Sequence, residues 1–227
     1  MRTTYTLAAL GCILGLTVGT AQAQRSRHDV TGTQFGAKGG LTLSVLDGQI
    51  NTNSEYKPDF HLGGFLRWRP TPSFALQPEL VYSRQGAKNS FPAGPVMLET
   101  KTTLSYLNVP VLAKVYLGKV VNLQVGPQFG LLLGGREKGQ IGYRQSSSGN
   151  SFIEGEEDVK EEFKSDVAIC GGIGVDLPGG LLLAARLNYG FTNIENNELR
   201  QRARDAFGFG GMHNRTFEFS IGYAFGQ

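Results

Sequence analysis

From Thr216 to Phe225 the chain alternates without a break. Phe217, Phe219, Ile221, Tyr223 and Phe225 fall on one face, and Thr216, Glu218, Ser220, Gly222 and Ala224 on the other. A two-residue period belongs to extended backbone, so this segment must be a strand between two different environments. The pattern recurs upstream. Val121, Leu123, Val125, Phe129 and Leu131 oppose Asn122, Gln124, Gly126, Gln128 and Gly130, and Val167, Ile169, Ile173 and Val175 oppose Asp166, Ala168, Gly172, Gly174 and Asp176. Leu181, Leu183, Leu187, Tyr189 and Phe191 oppose Ala184, Arg186, Asn188 and Gly190. Eight strands are expected, near Gln34–Val45, Pro58–Arg69, Phe74–Gln85, Thr102–Leu117, Val120–Leu133, Lys164–Leu177, Gly180–Thr192 and Asn214–Phe225.

Two features separate a membrane barrel from a soluble one. The polar faces are rich in Gly, Ala, Ser, Asn and Gln, which suit the cramped interior of an eight-stranded barrel better than a water-facing surface. They carry five cations (Lys38, Arg67, Arg69, Lys114, Arg186) and four carboxylates (Glu79, Asp166, Asp176, Glu218), a near balance that predicts an internal ion-pair network. The gaps between strands run about 12, 4, 16, 2, 30, 2 and 21 residues, long and short in turn. Transmembrane barrels have short periplasmic turns and long extracellular loops. The expected fold is therefore an all-β, eight-stranded antiparallel transmembrane β-barrel, an up-and-down meander with both termini in the periplasm.

Energetics decide which face meets lipid. A charge at the bilayer midplane costs roughly 2–4 kcal/mol, so turning nine charges outward costs on the order of 20 kcal/mol. That exceeds the whole stability of a typical domain, about 5–15 kcal/mol. The lipid-facing set is then the apolar one, with Phe217, Phe219, Ile221, Tyr223 and Phe225 as its clearest members. Trp68, Phe74, Tyr82, Tyr116, Tyr189 and Phe191 lie near strand ends, where outward-facing aromatics form interfacial girdles. Pro78, Pro110 and Pro127 fall inside strands, and β-bulges are expected near Pro78 and Pro110. Phe65, Leu112 and Leu182 fall on the polar faces, where they either fill interior volume or mark a one-residue slip in register.

Residues 1–23 read as a secretory signal: Arg2, an uncharged apolar stretch from Leu7 to Val18, and the small-x-small pattern Ala21-Gln22-Ala23. The barrel domain then spans residues 24–227. Cys12 lacks the surroundings of a lipidation site. Cys170, the other cysteine of the chain, reads as a small buried apolar residue. No apolar run of 18 residues follows the leader, so a membrane crossing would have to use a closed barrel. A net charge of +3 without aromatic platforms in its basic clusters points away from nucleic acid.

Tyr106-Leu-Asn-Val-Pro-Val-Leu-Ala-Lys-Val-Tyr116 resembles the central signature of the PorT-like outer-membrane β-barrel proteins, often labelled porin-family. Leu66-Arg-Trp-Arg69, Leu76-Gln-Pro-Glu-Leu-Val-Tyr82, Gly126-Pro-Gln-Phe-Gly130 and the stretch from Gly171 to Gly190 fit the same pattern. The resemblance implies a Gram-negative outer-membrane location and an eight-stranded barrel, and little about activity. It also implies contact with the barrel-insertion machinery, which reads a terminal aromatic residue. Here Phe225 is followed by Gly226 and Gln227.

No catalytic set emerges. His28, His61 and His213 are isolated, and no metal or phosphate-loop motif occurs. Neither a cofactor nor a metal is expected. Glu154, Glu156, Glu157, Asp158, Glu161 and Glu162 in the third loop read as a solvated charge run. Arg200, Arg202 and Arg204 could pair with lipopolysaccharide phosphates or with that acidic loop. The first functional expectation is a structural or interaction protein presenting extracellular loops. A small-solute channel or carrier is the second, and a soluble lipocalin-like barrel with its aromatic face inward the third.

Overall fold

The computed structural model describes residues 31–47, 54–93, 96–143, 151–197, 202, 206 and 211–225. The expected secretory leader and its cleavage pattern lie outside these residues. So do most of the basic positions of the fourth loop, and the two residues after Phe225.

The described residues form ten strands. They are β1 (Gly32–Asp47), β2 (Ser54–Glu55), β3 (Lys57–Thr71), β4 (Phe74–Ala93), β5 (Val96–Leu117), β6 (Val121–Tyr143), β7 (Ser151–Asp158), β8 (Asp166–Asp176), β9 (Leu181–Gly190) and β10 (His213–Phe225). Every pairing is antiparallel, and eight strands close a ring in the order β1-β3-β4-β5-β6-β8-β9-β10. β2 is a short addition to β4, and β7 folds back on the outer half of β6. The seam between first and last strands pairs Phe35 with Phe225 through to Asp47 with His213, so the ring has no open edge.

The register fixes the bore. Stepping from Thr33 through Trp68, Leu76, Ala113, Val125, Gly171, Leu187 and Phe217 returns to β1 at Leu43, ten residues on (43 − 33). With strands about 4.8 Å apart and a rise of about 3.3 Å per residue, eight strands and this stagger give a tilt of about 40° and a wall radius of about 8 Å. An inward Lys or Arg reaches most of the way to the axis. Close strand approach depends on missing side chains: a Cβ on Gly40 would overlap the carbonyl oxygen of Phe219 across the seam. Tight turns at the opposite end use the left-handed backbone of Gly118 (φ +83°) and Gly179 (φ +92°).

The faces sort as the alternation requires. Phe219 is 53% exposed and Ile221 57%, with Phe217, Tyr223 and Phe225 also on the outside, while Thr216, Glu218 and Ser220 are buried inside. This excludes the lipocalin-like arrangement, in which the aromatic face would line the interior. Phe35, Trp68, Phe74, Tyr223 and Phe225 ring the turn end of the wall, and Tyr56, Phe60, Tyr82, Tyr189 and Phe191 approach the other end. Tyr116 is not among the outward-facing aromatics of the girdle: it is buried and points inward. Phe65, Leu112 and Leu182 are buried interior residues, so the register does not slip.

Two further expectations are corrected. The second and third loops are largely strand: β4 and β5 run on until Ala93 pairs with Val96, and β6 continues to Tyr143 in a hairpin with β7. Over Glu99–Lys101 and Arg136–Lys138 the residues on both faces are polar, so the hydrophobic period vanishes there while the backbone ladder persists. The expected bulges at Pro78 and Pro110 are also absent. Register shifts occur between Trp68 and Thr71 and between Ser105 and Tyr106. The prolines instead coincide with gaps in the pairing without any shift. The β3–β4 ladder skips from Phe65–Glu79 to Trp68–Leu76, β4–β5 from Pro78–Val111 to Val81–Asn108, and β5–β6 from Pro110–Gln128 to Ala113–Val125. A missing N–H removes one bond on one side, which a closed wall absorbs locally.

Candidate functional site

The interior is the chemically dense part of the molecule. Glu79, on β4, is its centre. Its carboxylate accepts both terminal nitrogens of Arg186 (Nη1–Oε2 2.9 Å, Nη2–Oε1 2.8 Å) and lies 2.6 Å from Lys38 Nζ. None of the three side chains is more than 3% exposed. The bidentate fork is the strongest geometry available to a carboxylate. It joins β1, β4 and β9, strands that are not all neighbours, so the contact crosses the bore.

A second cluster lies towards the turn end. Asp176 pairs with Arg67 (3.3 Å) and Lys114 (3.4 Å) and accepts the Tyr116 hydroxyl (2.7 Å). Gln77 connects the two clusters. Its Oε1 accepts from Arg67 Nε (2.8 Å) and Lys114 Nζ (3.2 Å), while its Nε2 donates to Glu79 Oε1 (2.8 Å). Gln124 likewise accepts from Arg186 (3.1 Å). The sequence reading missed Gln77, Gln124 and Tyr116 as members of this system. The available signal was their place on the inward face, two residues from a charge in the case of Gln77.

Not every expected charge joins. Arg69 stacks on the Tyr116 ring (3.5 Å to its centroid) and donates to the Pro72 carbonyl. Asp166 is satisfied by neutral donors, Thr192 Oγ1 (2.6 Å) and Asn214 Nδ2 (3.1 Å). Glu218 is buried and directly opposite Arg186 in register, but makes no ion pair within 4.0 Å among the described residues.

His61 sits between two hydroxyls, with Ser220 Oγ 2.8 Å from Nε2 and Thr42 Oγ1 3.0 Å from Nδ1. A hydroxyl takes the place where a nucleophile system would hold an orienting carboxylate, and all three residues are buried in the packed interior. Cys170 is buried with its thiol against Gln128 Oε1 (3.4 Å).

Two apolar clusters share the interior with the charges. Phe65, Leu182 and Ala224 pack together, with Arg67 over the Phe65 ring. At the opposite mouth, Leu46, Ala87, Leu104 and Tyr106 of the wall meet Ile194 and Met212 of the last long loop, with Leu132 and Phe163 against them. The Tyr106 hydroxyl donates to the Lys164 carbonyl (3.2 Å), and Ile194 and Met212 share a backbone hydrogen bond (2.9 Å). No periodic pattern marks this stopper, because Ile194 and Met212 both lie outside any alternating segment.

A family model described as "Outer membrane protein beta-barrel domain" matches residues 21–196. No curated protein sequence matches significantly. Among solved structures, the attachment invasion locus protein Ail of Yersinia pestis is similar at 11% identity, with 86% of this chain and 100% of that chain covered and a TM-score of 0.44. Neisserial surface protein A aligns at 10% identity over 85% of this chain and 98% of its own, with a TM-score of 0.44. CarO of Acinetobacter baumannii aligns at 12% identity over 81% and 96%, with a TM-score of 0.40.

Proposed function

This chain belongs to the outer membrane protein β-barrel domain family, and from that premise we propose that it is a plugged barrel whose role is structural or one of interaction, exercised through its extracellular loops. The observation that carries this reading is the Glu79–Arg186–Lys38 cluster, joined through Gln77 to Asp176, Arg67 and Lys114. It crosses a lumen enclosed by a wall about 8 Å in radius, too narrow to hold these side chains and a water column together. The lumen charges then hold the barrel's shape, and the apolar stopper above them closes the outer mouth.

In this reading Phe217, Phe219, Ile221, Tyr223 and Phe225 face hydrocarbon. The short turns and both termini lie in the periplasm, and the insertion machinery reads the β10 end. Single-channel recording in planar bilayers tests it. The plugged barrel gives no steady current, whereas a small-solute channel gives reproducible conductance steps that scale with salt.

A further inference from the structure

Above the apolar belt, the outer face of β4, β5 and β6 changes character. Lys88 lies directly opposite Lys101, and Lys101 directly opposite Lys138, making an unbroken cross-strand row of three ammonium groups. Like charges placed opposite one another destabilise a sheet. The row ends on a carboxylate at each side: Glu55 lies directly opposite Lys88 and Glu156 directly opposite Lys138 (3.3 Å), while Glu99 approaches Lys88 diagonally (3.4 Å). No carboxylate of the described residues lies within 4.0 Å of Lys101, the central member.

Below this row a groove of about 510 Å³ opens on the same face. Tyr82 and Leu133 form its apolar end, Thr103 and Ser105 its floor, and Arg84 and Arg136 its cationic rim. A bulge at Leu133 and the side-chain-free Gly134 make the space. Arg84 and Arg136 are tied to Asp59 (3.4 Å) and Glu156 (3.3 Å), and Asp158 pairs across from Arg136. On these outward faces five cations (Arg84, Lys88, Lys101, Arg136, Lys138) stand against four carboxylates (Glu55, Glu99, Glu156, Asp158).

Height selects the ligand. Six residues separate Tyr82 from Lys88 on β4. At about 2.5 Å of axial rise per residue in a strand tilted by about 40°, the lysine row stands roughly 15 Å above the aromatic ring. Phospholipid headgroups extend only about 5–8 Å beyond hydrocarbon. Phosphates carried on sugars reach higher. We propose that this face is a binding site for lipopolysaccharide of the outer leaflet: an acyl chain lies along Tyr82 and Leu133, glycolipid phosphates meet Arg84 and Arg136, and core phosphates meet the Lys88–Lys101–Lys138 row. The site lies on the outside of the wall and extends beyond the reading of the plugged lumen, on whose outer-membrane placement it rests.

The test uses full-length barrel refolded in zwitterionic detergent and titrated with core-bearing rough lipopolysaccharide, with binding read by native mass spectrometry. A cation at an anionic surface strengthens binding roughly fivefold, so Lys88→Gln/Lys101→Gln/Lys138→Gln together weaken it on the order of a hundredfold. The same variant, tested without lipid, keeps or raises its heat-modification temperature on gels, because like-charge repulsion is relieved. Lys101→Gln alone serves if the triple variant does not fold, with about a fivefold loss expected. Undiminished binding by the variants overturns the proposal. So does equal binding of lipopolysaccharide stripped of phosphate, or of phosphatidylglycerol. The gel shift reports the barrel independently, so loss of the site and loss of the fold are distinguishable.

Discussion

Replacing Glu79 with Gln keeps the shape of the side chain and removes the charge on which the interior converges. The carboxylate is fully enclosed and meets Arg186 through two hydrogen bonds, Lys38 at 2.6 Å and Gln77 at 2.8 Å. Removing one partner of a buried pair costs about 3–5 kcal/mol, because the other charge is left uncompensated in low dielectric. Here two cations lose the same anion, and only Arg186 keeps a further acceptor, Gln124. The expected loss is therefore at the upper end, about 5 kcal/mol. A triple variant, Lys38→Met/Glu79→Leu/Arg186→Met, removes the charges together and should be more stable than the single one, since an apolar replacement of a whole buried cluster is often neutral. Urea unfolding in lipid vesicles, followed by fluorescence of Trp68, the chain's single tryptophan, measures both. A Glu79→Gln variant within about 0.5 kcal/mol of the parent, the range of ordinary surface substitutions, refutes the structural role of the cluster.

Phe219→Arg, midway along β10, should cost about 2–4 kcal/mol in vesicles, while Phe225→Arg near the interface should cost about 0–1 kcal/mol, measured by the same unfolding experiment. Gly40→Ala should lose about 1–3 kcal/mol or fail to refold, because its Cβ overlaps the Phe219 carbonyl, whereas Gly171→Ala, with nothing within 4 Å of its Cβ, should unfold like the parent. Cys170 should resist maleimide in the folded barrel and react after unfolding, as mass shifts would show. An epitope inserted between Ser146 and Ser147, in the connection from β6 to β7, should be accessible to antibody on intact cells, and one appended after Gln227 should require permeabilisation.

The wall was legible because hydrocarbon on one side and packed polar groups on the other impose a period of two. β10 alone shows it: each of its five apolar residues is outside and exposed. Where both faces meet polar surroundings, as in Glu99–Lys101 or Arg136–Lys138, the period disappears and strand reads as loop. The inward charges were also legible one by one. Their pairing was not, since Glu79 meets Arg186 across 107 residues of sequence and the match depends on the ten-residue stagger of the ring. Glu218 and Asp166 carry the same sequence signature as Glu79, yet the stagger sets Asp166 among neutral donors and leaves Glu218 without a close ion pair. Tyr116 lies near a strand end but shares the parity of Lys114, which turns it inward.

Depth-dependent quenching by brominated phospholipids bears most directly on which surface meets the bilayer. With Trp68→Phe removing the native signal, Phe219→Trp should be quenched most by bromines deep in the acyl chains. Trp68 itself, in the parent protein, should respond most to bromines near the glycerol backbone. Fluorescence indifferent to bromine depth at both positions, from a protein that stays monodisperse without detergent, would contradict the placement of the apolar face in hydrocarbon.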